Sequence, residues 1–151
     1  MHIIQLDIPF PRLCAAGARS GKKVLRLDFA ALRLHEREPV YQQLVTYVKR
    51  CVAGGEAADG ESLPSRRELA ALLGINPNTA HKAYRQLEDE GYVQTPRNAS
   101  SRLCVTEELK ERAKEELSHA FVRAFVAQAR ENRLSRERLI ALIDQHWEDG
   151  E

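Results

Sequence analysis

Asn78, His81, Lys82 and Arg85 stand at i, i+3, i+4 and i+7 in one stretch of the chain. An amide at such a position can pair with an adenine edge, and lysine or arginine can reach a guanine edge or a phosphate. Ala80, Ala83, Tyr84 and Leu87 repeat the same spacing. The two sets are offset by two residues, about 200° around a helix of 3.6 residues per turn. One face of this helix therefore packs inward while the opposite face is polar and cationic. A helix lying in the DNA major groove needs both faces. An ordinary amphipathic helix with a solvated outer face has the same periodicity, so the neighbouring elements must decide between the two.

Those neighbours form a compact pattern. Asn76 suits an N-cap, and Pro77 sits where a missing N–H costs nothing. Upstream, Ser65 and Glu68 have the spacing of a capping box. Leu69, Leu72 and Leu73 follow as an apolar stripe, and Gly74 suits a left-handed C-terminal position. Two short helices joined by a tight turn result. Before them, Val40, Leu44, Tyr47, Val48, Cys51 and Val52 stripe a scaffold helix that starts at Pro39 and ends at Gly54-Gly55. Glu56 to Glu61 is a polar loop. After Gly91, residues 92–95 and 102–105 read as two short strands around a turn-like 96–101. A hairpin directly behind a helix-turn-helix is a wing.

The ends of the chain read differently. Ile3, Ile4, Leu6 and Ile8 suggest a strand that Pro9 and Pro11 stop. Residues 15–23 read as a linker or a basic arm, and Leu25, Leu27 and Phe29 alternate as a strand or extended lead-in. Thr106 caps a long helix striped by Leu109, Ala113, Leu117, Ala120, Phe121, Ala124 and Phe125, with a second edge at Val122, Val126 and Ala129. Ser135 caps a last helix bearing Leu139, Ile140, Leu142, Ile143 and Trp147. Such faces either pack back on the domain or are buried in a dimer, and dimerisation is the expectation. Two helices rarely enclose a ligand pocket of roughly 300–1,000 Å³, so no small-molecule site is expected within one tail.

Composition narrows the function. The 151 residues carry 23 basic and 22 acidic side chains, a net charge of +1. Residues 62–105 hold six basic against four acidic side chains, and residues 106–151 hold eight against eleven. A mildly basic front and an acidic tail fit a nucleic-acid-binding front end. The three cysteines form no CxxC pair, and the five histidines show no HExxH spacing, so no metal or cofactor is expected. Reduced thiols fit a cytoplasmic protein. No apolar run approaches the roughly 20 residues that span a bilayer, so no membrane partner is expected. There is no nucleophile–base pair or phosphate loop, so the chain does not read as an enzyme. Glu107, Glu108, Glu111, Glu115 and Glu116 read as a solvated helix face.

The run from Pro39-Val40-Tyr41-Gln42-Gln43 through Leu63-Pro64-Ser65, Arg67-Glu68-Leu69-Ala70 and Asn76-Pro77-Asn78-Thr79 to Leu87–Gly91 resembles the winged helix-turn-helix of the GntR family of bacterial transcription regulators. The resemblance covers residues 37–95. INPNT and the short tail with LSRERLIALID look most like the small YtrA-type subfamily. That likeness implies a dimeric DNA-binding repressor without a large effector domain, often encoded beside transporter genes. It also implies that Arg67 meets DNA, and that Asn76, Asn78 and Thr79 open the recognition helix. At the wing the family's glycine-rich tip is replaced by Asn98-Ala99-Ser100-Ser101.

The expected fold is mainly α with a small β-hairpin. It divides into an N-terminal extension and lead-in (1–36), a winged helix-turn-helix domain (37–105) and a two-helix dimerisation tail (106–151). The expected partners are double-stranded DNA, bound at an inverted repeat, and a second copy of the chain; the effector is unknown. Expected DNA-binding residues are Ser65, Arg66, Arg67, Asn76, Pro77, Asn78, Thr79, His81, Lys82, Arg85, Arg97 and Arg102. Expected dimer residues are Leu117, Phe121, Phe125, Val126, Leu139, Ile143 and Trp147. The alternative is a winged-helix protein-interaction module that does not read DNA sequence. Such a module has no need to keep Arg67, Lys82 and Arg85.

Overall fold

A computed structural model of the chain describes residues 27–148. Five α-helices are found among these residues: α1 (Val40–Ala53), α2 (Arg66–Leu73), α3 (Pro77–Asp89), α4 (Glu107–Glu131) and α5 (Arg136–Glu148). Strands β1 (Val93–Gln94) and β2 (Arg102–Leu103) pair antiparallel, with Val93 opposite Leu103 and Gln94 opposite Arg102. The strand and linker expected within residues 1–23 lie outside the described residues.

The local signals explain most helix boundaries. The Ser65 hydroxyl accepts the Glu68 N–H at 3.2 Å, and the Glu68 carboxylate accepts the Ser65 N–H at 2.7 Å, so the capping box is complete. Those bonds favour the ionised carboxylate and lower the Glu68 pKa. Gly74 closes α2 with φ +63, a conformation that a Cβ would strain. Asn76 accepts the Asn78 N–H at 2.8 Å, with Pro77 in the first turn of α3. Thr106 accepts the Leu109 N–H at 3.2 Å, and Ser135 accepts that of Arg138 at 3.2 Å.

One core joins these elements. Leu44, Val48 and Val52 of α1 meet Leu69 and Ala70 of α2 and Ala80, Ala83, Tyr84 and Leu87 of α3. Tyr92, Val93, Leu103 and Ala113 complete it from the hairpin and from α4. Removing these apolar side chains from water is the main driving force for the arrangement.

Four expectations change. Leu72 does not join the α2 stripe: it is 54% exposed, because α2 packs through Leu69, Ala70 and half-buried Leu73. Phe29 belongs to a 3₁₀ turn (Phe29–Ala31) rather than a strand, because the Asp28 carboxylate accepts the Ala30 N–H at 3.1 Å. Phe29 then buries its ring 5.5 Å from that of Tyr47. The strands are two residues long instead of four. The boundary drawn at residues 105/106 runs through the core, since α4 packs along α1 and Ala113 is fully buried. Beyond half-buried Leu117, α4 runs out from the domain with most side chains exposed.

Polar residues also hold the frame. Gln43 is 6% exposed on α1 and clamps the preceding loop. Its Oε1 accepts the His35 N–H at 3.0 Å, and its Nε2 donates to the carbonyls of His35 and Glu38, both at 2.7 Å. Gln43→Leu leaves three backbone groups without this partner and should lower stability by about 2 kcal/mol, read by urea unfolding at an unchanged m-value.

Candidate nucleic-acid interface

The inward face of α3 is fully used. Ala80, Ala83, Tyr84 and Leu87 are each at most 1% exposed. Alanines at 80 and 83 let the neighbouring helices approach closely, and Tyr84 fills the remaining space. Its hydroxyl donates to the Pro64 carbonyl at 2.5 Å, tying α3 to the residue just before the α2 cap. Burial pushes the Tyr84 phenol well above its usual pKa, so it stays a donor.

The opposite face is turned to solvent. Asn78, His81, Lys82 and Arg85 are all exposed, as the periodicity requires. The Lys82 ammonium lies 3.7 Å from the ring centroid of Tyr41, in the first turn of α1. That is cation–π distance, and it draws the start of α1 to the edge of the polar face. Sequence reasoning missed Tyr41 as a neighbour of this face. Periodicity orders residues within a helix but says nothing of a contact between residues 41 and 82.

The other expected residues divide by what they already hold. Arg67 is exposed, with no ion pair among the described residues. Ser65 and Asn76 lend their side-chain oxygens to helix caps. Pro77 shapes the first turn of α3, and Thr79 is half-buried behind it. Arg66 departs most from expectation. Its Nη2 pairs with Glu88 at 2.9 Å, and its guanidinium lies 5.6 Å from the Tyr84 ring centroid. The side chain is folded against its own protein, whereas Arg67 beside it is not.

Glu88 continues this link into the wing. Thr95 donates its hydroxyl to Glu88, and the Thr95 and Ser101 hydroxyls lie 2.7 Å apart. Arg66, Glu88, Thr95 and Ser101 thus connect α2, the last turn of α3 and both legs of the hairpin. At the tip, Asn98 takes φ +64, and the Ala99 N–H donates to the Pro96 carbonyl at 3.2 Å. Asn tolerates this left-handed conformation better than other non-glycine residues, so the tight turn survives the loss of glycine. Arg97 and Arg102 are both exposed on the hairpin.

A helix-turn-helix followed by an antiparallel hairpin, with the outer face of its second helix polar and uncovered, is a winged helix-turn-helix of the DNA-binding kind. Residues 40–103 match the family described as bacterial regulatory proteins, gntR family. The helix-turn-helix domain of this chain belongs to that GntR family, and the chain is a DNA-binding transcriptional regulator. It is 29% identical over 113 residues to the HTH-type transcriptional regulator YhcF of Bacillus subtilis, covering 75% of this chain and 93% of that protein. It is 44% identical over 59 residues to the HTH-type transcriptional repressor YtrA of the same organism, covering 39% of this chain and 45% of that one. Among solved structures, a GntR family transcriptional regulator from Listeria monocytogenes superposes with a TM-score of 0.61 at 26% identity, over 74% of this chain and 98% of that one. A transcriptional regulator from Oenococcus oeni gives 0.58 at 28% identity, over 78% and 98%.

The two adjacent arginines should separate in a stability assay. Arg66→Met should lower stability by about 1 kcal/mol through loss of the Glu88 pair and the Tyr84 contact. Arg67→Met should stay within about 0.5 kcal/mol of the parent chain in the same urea titration.

Proposed function

We propose that the chain acts as a homodimeric repressor on an inverted-repeat operator, with α3 of each copy reading one half-site. The observation that carries this reading is the division of α3 into a wholly buried apolar face and an uncovered face of Asn78, His81, Lys82 and Arg85. Repression is suggested by the likeness to the B. subtilis repressor YtrA.

In this reading each residue has a task that its surroundings permit. Arg67, with no ion pair among the described residues, neutralises phosphate. Asn78 reads a base edge, since its side chain is exposed while only its backbone N–H serves the cap. Lys82 and Arg85 contact guanine or phosphate. Arg97 and Arg102 carry charge to the backbone beside the wing. Ser65, Arg66, Asn76, Pro77 and Thr79 shape the helix ends, where the Ser65 and Thr79 hydroxyls suit phosphate contacts. The charge of this face and the retention of Arg67, Lys82 and Arg85 favour DNA over the protein-interaction reading.

The tail supplies the second copy. Phe121, Ile143 and Trp147 are 39%, 38% and 80% exposed, and Val122 and Ile140 are exposed as well. Leu117, Phe125, Val126 and Leu139 are half-buried beside them. Several large apolar side chains left exposed on two helices are costly in water and suit an interface. A second tail of the same shape covers them with two-fold symmetry and fixes the distance between two recognition helices. The proposed division of labour therefore runs at Leu117, with the first turns of α4 belonging to the DNA-binding domain and the remainder to assembly.

Arg67→Ala should weaken binding to specific and random duplexes alike and reduce the log–log salt slope by about 0.9, whereas Asn78→Ala should cost about 1–3 kcal/mol at one base pair. An unchanged slope and affinity would remove Arg67 from the interface, and equal losses on random DNA would remove Asn78 from direct readout. The double variant Ile143→Glu/Trp147→Glu should sediment as a folded monomer with weakened affinity for the two-half-site operator. A double variant that remains dimeric would remove this surface from assembly.

A further inference from the structure

Lys49 of α1 is a junction between three elements. Its side chain is only 12% exposed, and its ammonium pairs with Glu90, which caps the end of α3, and with Glu116 of α4 at 2.6 Å. Burial acts to lower the Lys49 pKa, but hydrogen bonds and attraction from Glu116 and Glu90 outweigh it and hold the group above its usual value. Arg112, one turn before Glu116, lies 4.9 Å from the Tyr92 ring centroid and donates to the Glu90 carbonyl. Two cations and two carboxylates thus close a balanced cluster over the seam between α1, α3 and α4.

The position of this cluster gives it leverage. Ala113 is the last fully buried α4 residue in the domain core, and Glu116 is held to α1 one turn later. Beyond half-buried Leu117, the stretch of α4 from residue 118 to Glu131 is mostly exposed. Those 14 residues rise about 21 Å at 1.5 Å each. A change of about 10° at the junction moves the far end by about 4 Å, close to the roughly 3.4 Å rise of one base pair. The link from Lys49 to Glu90 joins that lever directly to the end of α3.

We propose that Lys49 is a positioning residue that sets the direction of α4 relative to α3 through Glu116 and Glu90, and so determines which half-site spacing the protein reads. The proposal rests on the dimeric reading above. Apolar contacts at Leu109 and Ala113 hold α4 onto the domain but allow rotation about their own line of contact. A charged link one turn further out removes that freedom.

The test uses the full chain and an operator selected by the wild-type protein from a random duplex pool. Affinities are measured on that duplex, on versions with one or two base pairs added or removed between half-sites, and on a single half-site. Glu116→Gln breaks the link from the α4 side, and Lys49→Met breaks it from the α1 side. Glu115→Gln makes the same charge change on an exposed residue outside the cluster. Inserting one base pair should cost wild type and Glu115→Gln about tenfold, and Glu116→Gln and Lys49→Met about twofold. Half-site affinity and sedimentation should be the same for all four proteins. An unchanged spacing profile in both link variants overturns the proposal. So does loss of dimer or of half-site affinity, which assigns the link to assembly or folding instead. A wild-type chain that sediments as a monomer on the same duplexes overturns the dimeric reading itself, and the proposal with it.

Discussion

Everything in this domain depends on α3 having one face that is completely buried. Ala80 and Ala83 keep that face low, so that α1 and α2 can close on it, and Tyr84 and Leu87 fill the space between them. A larger residue at either alanine would push the helices apart in a core that packs at crystal-like density. Because the inward set is spent on packing, the outward set is left to solvent. The geometry that folds the domain is the geometry that offers Asn78, His81, Lys82 and Arg85 to a partner.

Polar links then fix what apolar packing leaves free. Gln43 ties the loop before α1 to that helix through three hydrogen bonds. The Tyr84 hydroxyl ties α3 to Pro64. Arg66, Glu88, Thr95 and Ser101 run from α2 across the end of α3 into both legs of the wing. Each link is directional where hydrophobic contact is not. Their placement at element ends is economical, since helix ends carry the backbone groups that still need partners.

Much of the fold was legible because it is governed by short-range rules. The capping boundaries of α2, α3, α4 and α5 follow from Ser65, Asn76, Thr106 and Ser135, each acting on a backbone N–H two or three residues away. The buried face of α3 follows from its period. What stayed hidden depends on long-range contacts. Leu72 has the right spacing for the α2 stripe, but neighbouring elements approach that helix from the side of Ala70. Arg66 and Arg67 are identical in type and adjacent, and the positions of Glu88 and Tyr84, far along the chain, distinguish them. The start of α4 reads as tail in sequence, yet Ala113 closes the core against α1. No local pattern tells a helix which of its turns belongs to which unit.

The central claim is that the outer face of α3 lies against base edges in the major groove. The most direct measurement is methylation protection of guanine N7, an atom exposed in that groove, on a duplex selected by the wild-type chain. The expected result is two clusters of protected guanines, related by two-fold symmetry and separated by about one helical turn or a multiple of it. Tight binding with every N7 still reactive would contradict the account, since the protein would then be held by phosphates or the minor groove alone.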